Sequence, residues 1–196
     1  FREDITSFLV AVAEVVQHPV DDEGIVLNER PCDYYYVTPG HQVPTGVTMS
    51  SARRRQLLEH AARHDAVIIE DDYDSESNFT LNPLPALKAS DRSGRVVYVS
   101  SLSKALSPGL RLGFMVADPD LIDEARALRR LVYRHPPTNI QYQMAHFLAQ
   151  GHYETHLRRY HYDSAQRWER LHAALQRYLP SCRALAGSEP ATAFWL

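Results

Sequence analysis

The sequence has 196 residues, of which 44% are hydrophobic and 23% are charged. These values are ordinary for a soluble globular protein, and the length suits one core or one domain with part of another. The formal net charge of −3 argues against a nucleic-acid surface spread over this segment. No apolar run is long enough to span a membrane and no signal peptide opens the chain, so we expect a cytoplasmic protein without membrane contact.

The cysteines indicate the redox compartment, and the two ends of the chain indicate whether the sequence is part of a longer one. Cys32 and Cys182 lie far apart and match neither a metal-binding nor a disulfide spacing, which favours a reducing compartment. The first residue is Phe1, not methionine, and residues 194–196 resemble a strand cut short. We therefore expect the chain to be a piece of a longer polypeptide.

The first part of the chain alternates between helical and strand-like patterns. β-Branched and aromatic residues favour strands, and a continuous apolar run is typical of a buried parallel strand. A strand, a helix and a second strand in this order predict parallel pairing, because the crossover is long enough. The predicted elements are a helix within residues 1–13, a short strand at 15–16, a strand over 34–38, a helix from Ser50 or Ser51 to about His64, and a strand over 66–69.

The second part is predicted to contain two strands and three helices. The loop between the two strands is too short for a helical crossover, so they are expected to pair antiparallel. The last helix is compatible with a coiled coil, but its broken apolar register favours a helix that links two domains. The predicted elements are an irregular segment over 79–94 with room for one helical turn, strands over 96–99 and 112–116, and helices over 118–133, 139–150 and 153–179, with Gly151 as the C-terminal cap of the second helix.

Three predicted strands are followed by loops that carry reactive side chains, at residues 41–46, 71–73 and 101–111. Ligands of a mostly parallel sheet lie beyond the carboxyl ends of its strands. Alternation along an extended segment places Asp71 and Tyr73 on one side and Asp72 on the other, with Ile69 taken to point into the core on the first side. We therefore expect a carboxylate, a phenol, a lysine and an arginine to converge on one site. For His41 in the first loop, a structural hydrogen bond and a substrate-side role are both open.

The third of these loops contains a lysine preceded by hydroxyl residues and followed by an arginine. Hydroxyl and backbone donors can contact phosphate oxygens, and Arg111 offers a planar fork to the same group. The amine of Lys104 can form a Schiff base with a carbonyl. A lysine for an aldehyde and a carboxylate for a pyridinium nitrogen are what pyridoxal phosphate requires. The alternative is a polar turn between two strands.

Four stretches of the sequence carry a resemblance to one family. They are YVTPGHQVPTG at 36–46, IIEDDYDSE at 68–76, the segment from Ser103-Lys104 to Leu112-Gly113, and HLRR at 156–159. In this order they resemble the aminotransferase-like domain of the MocR/GabR regulators. These are bacterial proteins in which a winged helix-turn-helix DNA-binding domain precedes a pyridoxal-phosphate fold of the aspartate-aminotransferase type, fold type I.

The resemblance implies a fold and a division into domains. The fold is α/β, the PLP-dependent transferase fold type I, with a mostly parallel sheet and flanking helices, present only in part. A long helix then leads to a smaller C-terminal domain. Residues 1–150 are assigned to part of the large cofactor-binding domain, and residues 151–196 to the linking helix and the start of the small domain.

The resemblance also assigns roles to single residues. Lys104 would hold pyridoxal 5′-phosphate as an internal aldimine. Asp71 would pair with the pyridine nitrogen, and Tyr73 with the phenolic oxygen. No metal ion is implied. The phosphate is assigned to the side chains of Ser101, Ser103 and Arg111.

The position of Val43 before Pro44 leads to one prediction about backbone geometry and one about function. The peptide before the Pro-Thr-Gly is commonly cis in this fold, so Val43–Pro44 is predicted to be cis. Many aminotransferases have asparagine at this position, whereas regulators of this type tend to have an apolar residue. The resemblance therefore implies the effector domain of a homodimeric transcription regulator, which binds an amine or amino acid through the aldimine and contacts DNA only through a domain absent from this chain. A catalytically active aminotransferase acting on amino acids and a cofactor-free interaction domain are the alternatives.

Overall fold

The computed structural model describes residues 14–28, 31–74, 76, 84–135 and 137–179. The helix predicted within residues 1–13 lies outside these ranges. None of the helices described there is long and apolar enough to cross a membrane. The strands are β1 (Val20–Asp21), β2 (Gly24–Ile25), β3 (Tyr34–Val37), β4 (Val67–Asp72), β5 (Val96–Ser101) and β6 (Gly113–Val116), and the helices are α1 (Ser51–His64), α2 (Leu87–Ser90), α3 (Pro119–Tyr133), α4 (Thr138–Ala149) and α5 (His152–Tyr178).

The main sheet has four strands in the order β3-β4-β5-β6. The pairs β3–β4 and β4–β5 are parallel, and β5–β6 is antiparallel. The predicted parallel and antiparallel pairings are therefore both confirmed. Asp72 pairs with Ser100, so the carboxyl ends of β4 and β5 lie side by side.

Helix α1 forms the crossover between β3 and β4, and local signals determine both of its ends. Its N-cap is Ser50, whose side chain accepts a hydrogen bond from the backbone N–H of Arg53 at 3.1 Å. It ends at Asp65, which has φ +57° and whose N–H bonds to the carbonyl of Ala61. The predicted helix is confirmed at both ends.

One face of the sheet packs against α1 and α2 to form the core. The strand period of two predicts that alternate residues face this core. The buried residues of β4 are Ile68 and Glu70, so the expectation that Ile69 points into the core was wrong: Ile69 is half-buried. Asp71 shares the opposite face with Ile69. The core cluster consists of Tyr35, Val37, Met49, Leu57, Ala61, Ala66, Ile68, Leu87 and Val96.

Glu70 is a carboxylate within this core, with 1% of its surface exposed. Its two oxygens accept hydrogen bonds from the backbone N–H groups of Leu87 at 2.7 Å and Lys88 at 2.9 Å. These N–H groups belong to the first turn of α2 and have no partner within the helix. Burial raises the pKa of Glu70, and the two N–H groups oppose this shift. Glu70 therefore joins β4 to α2.

Replacing Glu70 by glutamine is expected to lower the free energy of unfolding by about 1–3 kcal/mol, the cost of a buried donor left without a partner. An amide has one acceptor oxygen, and its NH₂ group would face an N–H. Urea unfolding measures the effect. Glu59→Gln on the exposed side of α1 is the matched control, and equal unfolding midpoints for the two variants would contradict the role of Glu70.

The remaining sequence expectations have different outcomes. No strand forms at residues 15–16; the first strands of the described ranges are the antiparallel pair β1 and β2. The helical turn allowed for within residues 79–94 is present as the short helix α2, which contains Lys88. Gly151 follows the C-cap residue of α4 with φ +70°, and its N–H bonds to the carbonyl of Leu148 at 3.0 Å, so the predicted capping role is confirmed. The same residue is also the N-cap of α5. The long predicted helix is present as α5, whereas residues 180–196, assigned to the start of the small domain, lie outside the described ranges.

Candidate cofactor site

The carboxyl ends of β3, β4 and β5 lie at one edge of the sheet, where the three predicted loops begin. Loop 39–46 follows β3, the turn at Tyr73 and Asp74 follows β4, and the turn with Lys104 follows β5. Side chains from three distant parts of the sequence can meet only at such an edge. Their contacts show which of them do meet.

Loop 39–46 is fixed by Arg54 of α1, which is 8% exposed. Its Nη2 donates to the carbonyl of Pro39 at 2.9 Å, and its Nε donates to the carbonyl of Met49 at 2.9 Å. Val43–Pro44 is a cis peptide, as predicted. The loop therefore has a defined path at the edge of the sheet.

Lys104 lies in the turn that follows β5, and its side chain is 44% exposed. Its Nζ lies 4.3 Å from the ring centroid of Tyr73 and 3.3 Å from Oδ1 of Asp74. A cation over an aromatic ring and beside a carboxylate is held by both groups. The structure therefore brings Lys104 and Tyr73 together, as the sequence predicted.

Tyr73 connects this lysine to the first loop. Its hydroxyl donates a hydrogen bond to the carbonyl of His41 at 3.0 Å. Burial raises the pKa of Tyr73 to about 12, with further contributions from the carboxylates of Asp74 and Asp71. The phenol therefore keeps its proton at neutral pH and acts as a hydrogen-bond donor.

Asp71 and Asp72 have different surroundings, as the alternation along the strand predicted. A carboxylate oxygen of Asp71 accepts a hydrogen bond from the hydroxyl of Tyr36. Asp72 accepts from the hydroxyl of Tyr98 at 2.8 Å. Burial raises the pKa of Asp72, and the hydrogen bond from Tyr98 opposes that shift. Asp71 lies on the sheet face away from the core.

The three side chains assigned to a phosphate lie along the segment between β5 and β6. Ser101 Oγ accepts a hydrogen bond from the backbone N–H of Ser103 at 3.2 Å. Arg111 is exposed and has φ +47°, at the end of the short 3-10 turn Pro108–Leu110. Ser101 pairs with Gly113, and the N–H of Leu102 bonds to the carbonyl of Leu112 at 3.0 Å, so the two ends of this segment lie side by side. The structure thus places Arg111 directly before the residues that pair with the end of β5.

Several neighbours of these residues were not predicted. Asp74 contacts both Lys104 and His41, and Tyr36 contacts Asp71. The only sequence signal for Asp74 is its place beside Tyr73. His41, for which two roles were open, is 5% exposed and has a structural contact with Asp74.

Helix α5 forms hydrogen bonds with two of the loops. The sequence patterns did not predict these contacts. His156 Nε2 donates to the carbonyl of Ala105 at 2.6 Å, next to Lys104. The hydroxyl of Tyr153 donates to Glu76 Oε1 at 2.9 Å, and burial raises the pKa of Tyr153. The helix thus fixes the turn after β5 and the segment after Asp74.

The donor set at this edge fits a phosphorylated pyridine aldehyde. It supplies a half-exposed primary amine, a carboxylate on the open face of the sheet, and a protonated phenol against the amine. Each matches one functional group of pyridoxal phosphate: the aldehyde, the ring nitrogen and the ring hydroxyl. Hydroxyls and an arginine nearby suit the phosphate.

Comparison with known proteins places the chain in a family. It matches the family described as aminotransferase class I and II over residues 37–189. It is 45% identical to the HTH-type transcriptional regulator TauR of Rhodobacter capsulatus over 144 residues, which are 72% of this chain and 30% of that protein. It is 39% identical to the probable rhizopine catabolism regulatory protein MocR of Rhizobium meliloti over 176 residues, 88% of this chain and 36% of that protein. The chain thus spans about a third of the length of these curated relatives.

A solved structure shows the same fold. LysN, an α-aminoadipate aminotransferase from Thermus thermophilus in complex with N-(5′-phosphopyridoxyl)-L-leucine, superposes with a TM-score of 0.84 at 28% identity, over 92% of this chain and 49% of that one. The predicted fold type I, present in part, and the resemblance to MocR-type regulators are confirmed, and the cofactor of this fold is pyridoxal phosphate. With its mostly parallel sheet, the turn that carries Lys104 and these relatives, the chain belongs to the aminotransferase class I and II family.

Proposed function

We propose that this chain is the pyridoxal-phosphate-binding effector domain of a bacterial transcription regulator, and that it binds an amine or amino acid through the cofactor held by Lys104. The contact between the Lys104 amine and the Tyr73 ring, at the carboxyl edge of the sheet, carries this proposal. The Lys104 side chain is 44% exposed, so an aldehyde can reach it. Its neighbours are the groups that the rest of the cofactor requires.

Each residue of the proposed site has a task that its surroundings support. Pyridoxal phosphate, when bound, supplies an aldehyde that condenses with amines and a ring that withdraws electrons. Lys104 provides the amine that holds it until a ligand amine takes its place. Asp71 would keep the ring nitrogen protonated, and the hydroxyl of Tyr73 would donate a hydrogen bond to the ring hydroxyl. Ser101, Ser103 and Arg111 would bind the phosphate.

The regulatory role is supported by relatives and by one residue of the first loop. TauR and MocR are both named as regulators. Val43 cannot make the hydrogen bond of the asparagine found in many aminotransferases. DNA contact would then belong to a separate helix-turn-helix domain, and the regulator would be a homodimer. Exposed apolar side chains on α3 offer surface to an interface, among them Leu128 and Leu131 at 62% and 84% exposure.

An active aminotransferase is the second candidate function. The fold similarity to LysN favours it. The same lysine, carboxylate and phenol serve both functions, because ligand binding and amine transfer begin with the same exchange at the cofactor. The difference lies in whether a keto acid is released.

One experiment tests the cofactor site and separates the two functions. Full-length protein titrated with pyridoxal phosphate is expected to absorb in the visible, and borohydride should then fix a pyridoxyl group on the Lys104 peptide. Lys88 is the internal control, since its amine donates to the carbonyl of Val96 at 2.7 Å. A pyridoxyl group on another lysine would contradict the proposal. With added amino acids, spectral change without keto acid supports the regulator, and keto acid release supports the aminotransferase.

A further inference from the structure

Asp74 is a buried carboxylate that contacts two nitrogen atoms of the proposed site. Its side chain is 2% exposed. Oδ1 lies 3.3 Å from Nζ of Lys104, and Oδ2 lies 3.5 Å from Nδ1 of His41. The aldehyde, the ring nitrogen and the phosphate of the cofactor are assigned to other residues. None of these groups requires a second carboxylate beside Lys104.

The surroundings of Asp74 hold it in a fixed position. His41, itself 5% exposed, contacts one of its oxygens. The adjacent Tyr73 is held by the carbonyl of His41 at 3.0 Å. On the other side, Glu76 is bound by Tyr153 of α5 at 2.9 Å. The carboxylate is therefore preorganised, whereas the lysine side chain is half-exposed and can move.

We propose that Asp74 is a positioning residue that receives the Lys104 amine whenever this amine is not bonded to the cofactor. This inference rests on the proposed function of Lys104. A free lysine ammonium has a full positive charge and three N–H donors. Condensation with an aldehyde releases water and leaves at most one N–H on that nitrogen. A buried carboxylate therefore interacts more strongly with the free lysine than with the bonded one.

This difference in interaction strength affects the equilibrium in which a ligand amine replaces Lys104 at the cofactor. When a ligand amine displaces Lys104, one carbon–nitrogen double bond forms as another breaks, and the two hydrogens of the incoming amine pass to the lysine nitrogen. No electrons enter or leave. The interaction of Asp74 with Lys104 is strongest after the ligand amine has displaced the lysine. It therefore shifts the equilibrium towards the ligand-bound form. Asp74 thus sets how much ligand is needed to displace the lysine.

The first measurement is a methylamine titration of the full-length protein loaded with pyridoxal phosphate, followed by absorption. In Asp74→Asn the methylamine concentration at half-displacement is expected to rise about threefold, a modest factor because the lysine end of the pair is half-exposed. Asp74→Glu, which keeps the carboxylate, should restore most of the wild-type value. Asp72→Asn is the matched control, since it removes a neighbouring half-buried carboxylate that accepts a hydrogen bond from Tyr98 instead.

The second measurement uses cofactor-free protein and does not depend on the proposed function. The labelling rate of Lys104 by trinitrobenzenesulfonate, relative to that of Lys88, should rise about threefold in Asp74→Asn, because the amine is no longer held against a carboxylate. An unchanged labelling ratio or an unchanged half-displacement concentration overturns the role of Asp74. A wild-type protein that attaches no cofactor at Lys104 overturns both the proposed function and the exchange role, while its labelling ratio still reports whether the contact exists.

Discussion

The full-length Lys104→Ala protein is expected to lose all visible absorption from covalently attached cofactor, and borohydride should fix no pyridoxyl group. Alanine has no amine to condense with an aldehyde. The other residues of the site still bind the cofactor, so a weaker, noncovalent association should remain. Absorption spectra of equal amounts of protein and cofactor measure the loss, and mass spectrometry after borohydride confirms it.

A matched pair of arginine variants controls for charge. Lys104→Arg and Lys88→Arg each remove a primary amine and keep a positive charge. The first is expected to behave like Lys104→Ala and the second like the wild type, because the Lys88 amine is engaged by Val96 and by Asp91 at 3.3 Å. An attached cofactor in Lys104→Arg would show that another lysine is responsible.

Asp71→Asn is expected to slow the exchange of the cofactor between Lys104 and a ligand amine by about 10–100-fold, the value of a hydrogen bond to a charged group. Asparagine cannot stabilise a protonated ring nitrogen, and the ring then withdraws electrons less strongly. Stopped-flow absorption with methylamine measures the rate. The hydroxyl of Tyr36 can still donate to the asparagine oxygen, so the local fold should be kept.

Asp72→Asn is the control for Asp71→Asn, and its own effect has a predictable sign. Burial raises the pKa of Asp72, so the folded protein binds this proton more tightly than the unfolded chain does. The ionisation of Asp72 therefore costs stability as pH rises through the raised pKa. Asparagine removes that cost, so the variant should be at least as stable as wild type at neutral pH and exchange ligand at the wild-type rate. Equal slowing in both variants would count against the assignment of Asp71.

Local sequence signals predicted the elements that carry the site. Ser50 and the apolar spacing after it predicted α1, and the apolar run before Asp71 predicted β4, because capping and burial of a strand depend on neighbouring residues alone. The pairing directions followed from connection lengths. The turn with Lys104 and the cis peptide before Pro44 were recognised from short motifs and a family resemblance.

By itself, then, the sequence determined the order of the four strands of the main sheet and of the helices α1, α3, α4 and α5, the loops at the carboxyl ends of the strands and the chemical groups that these loops carry. The tertiary structure alone decided that Ile68, not Ile69, faces the core, and that Glu70 caps α2. It also decided the contacts of Asp74 with Lys104 and His41, and of α5 with Ala105. The reason is that a period of two marks alternation but does not show which face is covered, and that the partners in these contacts are 17 residues or more apart in the chain.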